Sequence, residues 1–282
     1  MKEINVRRIE DAVASMCADI AVNCGSDIAQ ALEAAKEKEE GEMASAAMAM
    51  LVENIRIARE EQIPICQDTG LAIVWLEIGQ DVHLVGGSLK DAVNKGVERG
   101  YTDNYLRASA VDDPLYERKN TKTNTPAVIY TDIVDGDEVK ISLMAKGFGS
   151  ENKSALKMLT PADGEQGVID FVLETIEKAG GNACPPFVIG VGIGGTFDSC
   201  ACLSKKALLR PLSQHNSDAR YAALEQKLLD GANALNIGPM GFHGNTTALA
   251  VQIEQAATHI AGMPVAVNVC CHVCRHAKAV IA

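Results

Sequence analysis

Val6, Ile9, Val13, Met16 and Ile20 follow one another at spacings of 3, 4, 3 and 4, which predicts an amphipathic helix. A second helix is expected across "DIAQALEAAKEKEE" and a third across "EMASAAMAMLVENIRIAREE", up to Pro64. Residues 1–62 therefore read as a helical lead-in. Beyond Pro64 the texture changes. "LAIVWLEIG" and "VHLVGG" are short, apolar and β-branched and read as strands, while "SLKDAVNKGVERG" reads as a helix capped by Ser88 and stopped by Gly100.

The alternating stretch "PAVIYTDIVDGDEVKISLMAKG" predicts a hairpin about Asp135-Gly136. A further helix, "DGEQGVIDFVLETIEKAGG", is expected to end at Gly180-Gly181, and "PPFVIGVGIGG" suits a buried strand. "SDARYAALEQKLLDGANAL" reads as helical and "PVAVNVCC" as the final strand. The expected fold class is α/β: a helical N-terminal region followed by a mixed β-sheet with packed helices, the whole of 1–282 forming one domain.

Composition narrows the function. Apolar residues make up 47% of the 282 and charged residues 22%, which suits a folded globular chain. A net charge of −11 without a Lys/Arg-dense run argues against a nucleic-acid or anionic-membrane partner. No apolar segment reaches the roughly 20 residues of a membrane helix, and the N-terminus has no signal-peptide pattern. A cytoplasmic location is expected, where nine cysteines stay reduced.

Three of those thiols draw attention. Cys66 lies in "IPICQDTG", Cys184 in "GGNACPPFV" and Cys271 at the end of "PVAVNVCC". Each sits where a strand meets a turn, so the three could converge on a metal or cluster without a local CxxC. The alternative for each is a small buried core residue, the reading given to Cys17, Cys24, Cys200 and Cys202. Cys271 and Cys274 form a lone CxxC, with no second pair for a zinc ribbon. Arg107, in the polar stretch "LRASAVDDPLYERKNTKTNTPA", offers a carboxylate a planar fork or is simply solvated. Gly147 and Gly149, in "AKGFGSENKS", would expose backbone N–H groups to an anion or mark a plain hairpin exit. "GVGIGGTFD" is a poor dinucleotide fingerprint, with no acidic residue placed for a ribose.

Taken in order, "PICQDTG", "LRAS…VDDPL…NTKTNTPA", "KGFGSENKS", "NACPPFVIGVGIGG", "NIGPMGF" and "HIAGMPVAVNVCCH" resemble the class I, iron–sulfur-dependent fumarate hydratases. The likeness is greater to the alpha subunit of the two-subunit form, which is itself similar to the alpha subunit of L-tartrate dehydratase. The resemblance implies a 4Fe–4S cluster on Cys66, Cys184 and Cys271, with one iron left open as a Lewis acid. It implies substrate contacts from Gln67, Asp68 and Arg107, with backbone from Gly147 or Gly149, and proton handling by Asp68 with His259.

The implied reaction is the reversible dehydration of (S)-malate to fumarate, with tartrate dehydration to oxaloacetate as the relative's alternative. A zinc or redox thiol protein without catalysis is the alternative from another class. The chain stops 11 residues after Cys271, so a separate beta subunit is expected to supply further cations and the base, in a dimer of alpha–beta pairs. Two departures stand out. His243 replaces part of a glycine-rich "GLGG", and Cys270 and Cys274 flank Cys271 as rival ligands.

Overall fold

The computed structural model describes residues 2–282 as an α/β chain. In chain order its elements begin β1 (Lys2–Asn5), α1 (Val6–Val22), α2 (Ser26–Lys38), α3 (Glu42–Glu61), β2 (Leu71–Gly79) and β3 (Val82–Val85). They continue α4 (Leu89–Thr102), β4 (Val128–Val134), β5 (Val139–Lys146), the single turn α5 (Phe148–Glu151), β6 (Ala155–Leu159) and α6 (Gly164–Ala179). The chain ends with β7 (Phe187–Gly195), α7 (Phe197–Ala207), α8 (Ala219–Ala234), β8 (Ala248–Thr258), β9 (Met263–Cys270) and β10 (Arg275–Ile281). Two compact units result: residues 2–25, 55–148 and 275–282 form the first, and 26–54 and 149–274 the second. The N-terminal helices are thus shared between units, and a strand precedes them.

In the first unit the sheet runs β10-β5-β2-β4, with β2 parallel to β4 and antiparallel to β5. The expected hairpin about Asp135-Gly136 does not form, because β2 lies between its two arms. β2 is apolar on both faces, with Ala72 through Leu76 all buried, and a strand of that kind belongs inside a sheet. The connection instead wraps the end of β2: Gly79, Gln80 and Asp81 donate backbone bonds to Glu138, Val134 and Gly136 at 2.8, 2.7 and 2.9 Å. Ala72, Val74 and Leu76 join a core with Ile9, Val13, Met16 and Ile20 of α1 and Val93 and Val97 of α4. This is the face of α1 that the 3-4 spacing predicts. Ser88 does cap α4, accepting from Asp91 N at 3.3 Å, but Gly100 does not stop it. A Cβ there would lie 2.7 Å from Cys17 Cβ, so the glycine lets α4 close on α1.

In the second unit the sheet runs β6-β9-β7-β8. Ile189, Val191 and Ile193 of β7 pack with α6 and α8 residues such as Val172, Ile176, Leu224 and Leu228. Gly190 and Gly192 point to the other face, where a Cβ would meet Ser204 O at 2.0 Å and Cys200 O at 2.3 Å. The glycines at 190 and 192 therefore serve strand-to-helix contact with α7. β7 and β8 are parallel neighbours, joined through α7 and α8 as a parallel pair requires. β9 is not the final strand: β10 follows and belongs to the first unit's sheet. Among the described residues no helix is long and apolar enough to cross a membrane.

The contact at Gly190 yields a test. Alanine normally gains about 0.5–1 kcal/mol over glycine inside a strand, but here overpacking against backbone should win. Gly190→Ala is expected to lose ~1–3 kcal/mol in urea unfolding, and a neutral or stabilising result would refute the close approach.

Candidate functional site

The site is built on the turn after Pro64. Ile65 is buried and its N–H reaches Ala21 O at 2.9 Å, anchoring the entry to the loop. Cys66 and Asp68 are then half-buried, Gln67 is exposed, and Thr69 and Gly70 are buried. Three buried side chains from distant segments catch the carbonyls of three successive residues. Arg275 Nη2 donates to Asp68 O at 2.6 Å. The Tyr101 hydroxyl reaches Thr69 O at 2.8 Å and Gly70 O at 3.1 Å, and Asn124 Nδ2 donates to Gly70 O at 3.0 Å. Burial pushes the Tyr101 hydroxyl up from its ordinary value, which keeps its proton in place as a donor.

The Asp68 carboxylate is also engaged. Oδ1 accepts from Gly70 N at 3.0 Å and Oδ2 from Phe148 N at 2.9 Å. A Cβ on Gly147 would stand 3.0 Å from that Oδ2, so glycine admits the carboxylate there. Gly149 faces open space. Gly147 and Asp68 are therefore brought together.

The Arg107 segment is tied to the same loop. Thr69 Oγ1 donates to Arg107 O at 2.6 Å. Asn124, fully buried and left-handed at φ 56, accepts from Ser109 N and Ala110 N at 2.7 and 3.2 Å while its amide nitrogen holds Gly70 O. Asp113 organises the outer turn through the N–H groups of Glu117, Leu115 and Tyr116; these hold its carboxyl below the usual range. The Arg107 guanidinium is exposed and makes no hydrogen bond or ion pair among the described residues. It is available to an anion.

In the second unit Cys184 closes the turn Gly180–Ala183 in a left-handed conformation, φ 56. Its carbonyl accepts from His272 N at 3.2 Å and lies 3.1 Å from His272 Nδ1. Val188 pairs with Cys270, so the turns bearing Cys184 and Cys271 meet at one end of the sheet. Residues 238–241 back this turn: Met240 N donates to Pro185 O at 2.8 Å, and Gly181 and Gly241 pack together. Cys184 and Cys271 are both half-buried.

The rival thiols are core. Cys270 and Cys274 are 3% and 1% exposed, and Cys274 Sγ contacts Leu208 O at 3.7 Å. Cys17 and Cys200 are also buried, and burial pushes their thiols up to about 12 and about 11. Cys24 and Cys202 are half-buried. No three His, Cys, Asp or Glu side chains among the described residues are gathered as a site for a metal ion.

His259 is not brought to Cys271. It occupies the turn between β8 and β9, exposed, with Nδ1 accepting from Ala261 N at 3.2 Å. The eight residues of β9 separate it from Cys271, a span of ~25 Å at strand rise. His243 is also left-handed, with Nδ1 3.0 Å from Asn236 O. Its loop is held by Glu39, which accepts from Asn245 N and Thr246 N at 2.6 and 3.0 Å.

A family model described as fumarate hydratase (Fumerase) matches residues 10–280. A chain of Methanocaldococcus jannaschii, provisionally named L(+)-tartrate dehydratase subunit alpha, is 42% identical over 276 residues, covering 96% of each chain. The L(+)-tartrate dehydratase subunit alpha of Escherichia coli (strain K12) is 34% identical over 272 residues, covering 96% of this chain and 89% of the relative. The chain of that name in Shigella sonnei (strain Ss046) matches to the same extent, 34% over 272 residues.

Two tests follow from these contacts. Asn124→Ala strands two N–H groups and a carbonyl, and is expected to lose ~2–4 kcal/mol in chemical unfolding; a loss within ordinary surface values, about 0.5 kcal/mol, would contradict its bridging role. The second concerns pH. Cys17 titrates at about 12 folded against 9.0 as the ordinary value, so the unfolded chain releases this proton first and stability falls above pH 9. The slope should approach ~1.4 kcal/mol per pH unit for this thiol. Cys17→Ala should remove that part of the slope; an unchanged slope would contradict the buried thiol's contribution.

Proposed function

The chain belongs to the fumarate hydratase (Fumerase) family, and from that premise we propose that it is the cluster-bearing alpha subunit of a hydro-lyase acting on a four-carbon hydroxydiacid. In this reading it converts (S)-malate reversibly to fumarate. The observation that carries the reading is the captured loop: its carbonyls are taken by buried donors, and Thr69 ties this stretch of Cys66, Gln67 and Asp68 to the backbone of Arg107, whose exposed guanidinium makes no ion pair among the described residues.

Arg107 takes one substrate carboxylate through its planar fork. Gln67 adds an amide, and Gly147 and Gly149 let a carboxylate approach backbone without side-chain obstruction. Asp68, oriented through both of its oxygens, receives and returns a proton together with His259. β9 keeps the His259 and Cys271 of one chain at opposite ends, so His259 serves the substrate of a second copy, consistent with a dimer of alpha–beta pairs. The relatives' names, "subunit alpha", support a beta subunit, to which we assign removal of the C3 proton. We place the enzyme in the cytoplasm.

We assign a 4Fe–4S cluster to Cys66, Cys184 and Cys271 on the chemistry of the donors. All three thiols are half-buried on turns, while Cys270 and Cys274 are sunk in the core. When bound, the cluster supplies an open Lewis-acidic iron for the departing hydroxyl.

The names of the relatives favour a second substrate, L-tartrate, dehydrated to oxaloacetate by the same chemistry. Anaerobic loading with iron and sulfide, followed by pairing with the beta subunit, tests the whole reading. About four irons per chain are expected, lost in Cys66→Ser, Cys184→Ser and Cys271→Ser and kept in Cys17→Ser, Cys270→Ser and Cys274→Ser. The larger kcat/KM then names the diacid. One tightly held zinc, or a reversible Cys271–Cys274 disulfide, would overturn the proposal in favour of a thiol protein.

A further inference from the structure

Asp68 O is held differently from its two neighbours. Thr69 O and Gly70 O are caught by the uncharged groups of Tyr101 and Asn124, whereas Asp68 O is caught by a guanidinium. Arg275 is 2% exposed, and its Nε and Nη1 are buried with no hydrogen-bond partner. It forms no ion pair among the described residues. A guanidinium stays protonated in proteins, and burying it unpaired is costly. A neutral donor would make the same bond to a carbonyl at far lower cost, so the hydrogen bond alone does not account for arginine.

The charge lies beneath the face already described. A single point, the Cβ position of Gly147, is 3.0 Å from Asp68 Oδ2 and 3.8 Å from Arg275 Nη2. The spare N–H groups are sealed from solvent, so they do not touch a ligand. What reaches the surface is their field, which a low-dielectric surround preserves.

We propose that Arg275 is a positioning residue that fixes the Asp68 carbonyl and offsets the Asp68 carboxylate, so that the Gln67–Asp68–Gly147 face admits a small dicarboxylate. The proposal rests on the hydroxydiacid reading above and adds to it a cation that no motif singled out. Arg107 grips the anion; Arg275 offsets the carboxylate that would repel it.

Malonate, an unreactive diacid, is titrated calorimetrically into the full chain at low and high salt, with thermal unfolding run on each variant. Arg275→Gln keeps a donor and loses the charge, and should bind malonate about ten-fold more weakly at low salt, the gap narrowing at high salt. Arg275→Lys keeps the charge and should stay within about three-fold of the unsubstituted chain. A glutamine variant that binds as tightly as the unsubstituted chain, or a lysine variant no better than glutamine, overturns the proposal.

Should the glutamine variant not fold, lysine decides: affinity within about three-fold upholds the proposal and a larger loss overturns it. Arg275-dependent malonate binding without turnover of malate or tartrate would overturn the hydro-lyase reading and leave this one standing. Normal turnover with Arg275-independent binding would overturn this one alone. No malonate binding by the unsubstituted chain would overturn this proposal, and the hydro-lyase reading is then judged by turnover of the loaded, paired enzyme alone.

Discussion

Capture of the carbonyls of residues 68, 69 and 70 by buried side chains is the constraint on which the candidate site depends. A turn of thiol, amide, carboxylate and hydroxyl could settle in many ways, since each group can bond its own backbone. Here the choice is made from behind. Tyr101 comes from α4, Asn124 from the long polar segment and Arg275 from β10, so helix, loop and strand must be in place before the turn is fixed. With its carbonyls committed inward, the loop leaves Gln67 exposed and Cys66 half-buried, and Asp68 is set by two N–H groups. Local chemistry supplies the groups, and long-range packing aims them.

The second unit solves a similar problem with strand ends. β7 and β9 are hydrogen-bonded neighbours, with Val188 opposite Cys270. The turn before one and the turn after the other therefore meet, and His272 ties them through the carbonyl of Cys184. The glycines of β7 belong to the same device, because they let α7 lie against the strand from behind. The same strand that delivers Cys271 carries His259 to its far end. Closeness in sequence thus becomes separation in space.

Much of this was legible in the sequence. The apolar stripe of α1 and the buried strands around Trp75 and Val191 follow from periodicity, which reports how a segment meets its neighbours, and the start of α4 follows from Ser88, though not its end. The identity of those neighbours is another matter. β4 and β5 alternate as a hairpin should, yet β2 parts them because its two apolar faces need cover. β8, "ALAVQIEQAAT", is rich in helix formers, and β10, "RHAKAVI", mixes charge with small residues; neither carries a clear strand signal, and pairing with a formed sheet decides both. Cys66, Cys184 and Cys271 stood out by their place at turns. Tyr101, Asn124 and Arg275 did not, since their partners lie tens to hundreds of positions away and no spacing marks them.

Amide hydrogen exchange of the ligand-free full chain tests the central claim most directly. If buried donors fix the 66–70 turn in advance, the Gly70 and Phe148 amides, which donate to the Asp68 carboxylate, should exchange as slowly as amides within β2. Exchange at the rate of the open Gly149 backbone would show that the turn is organised only when something binds, and would contradict the account.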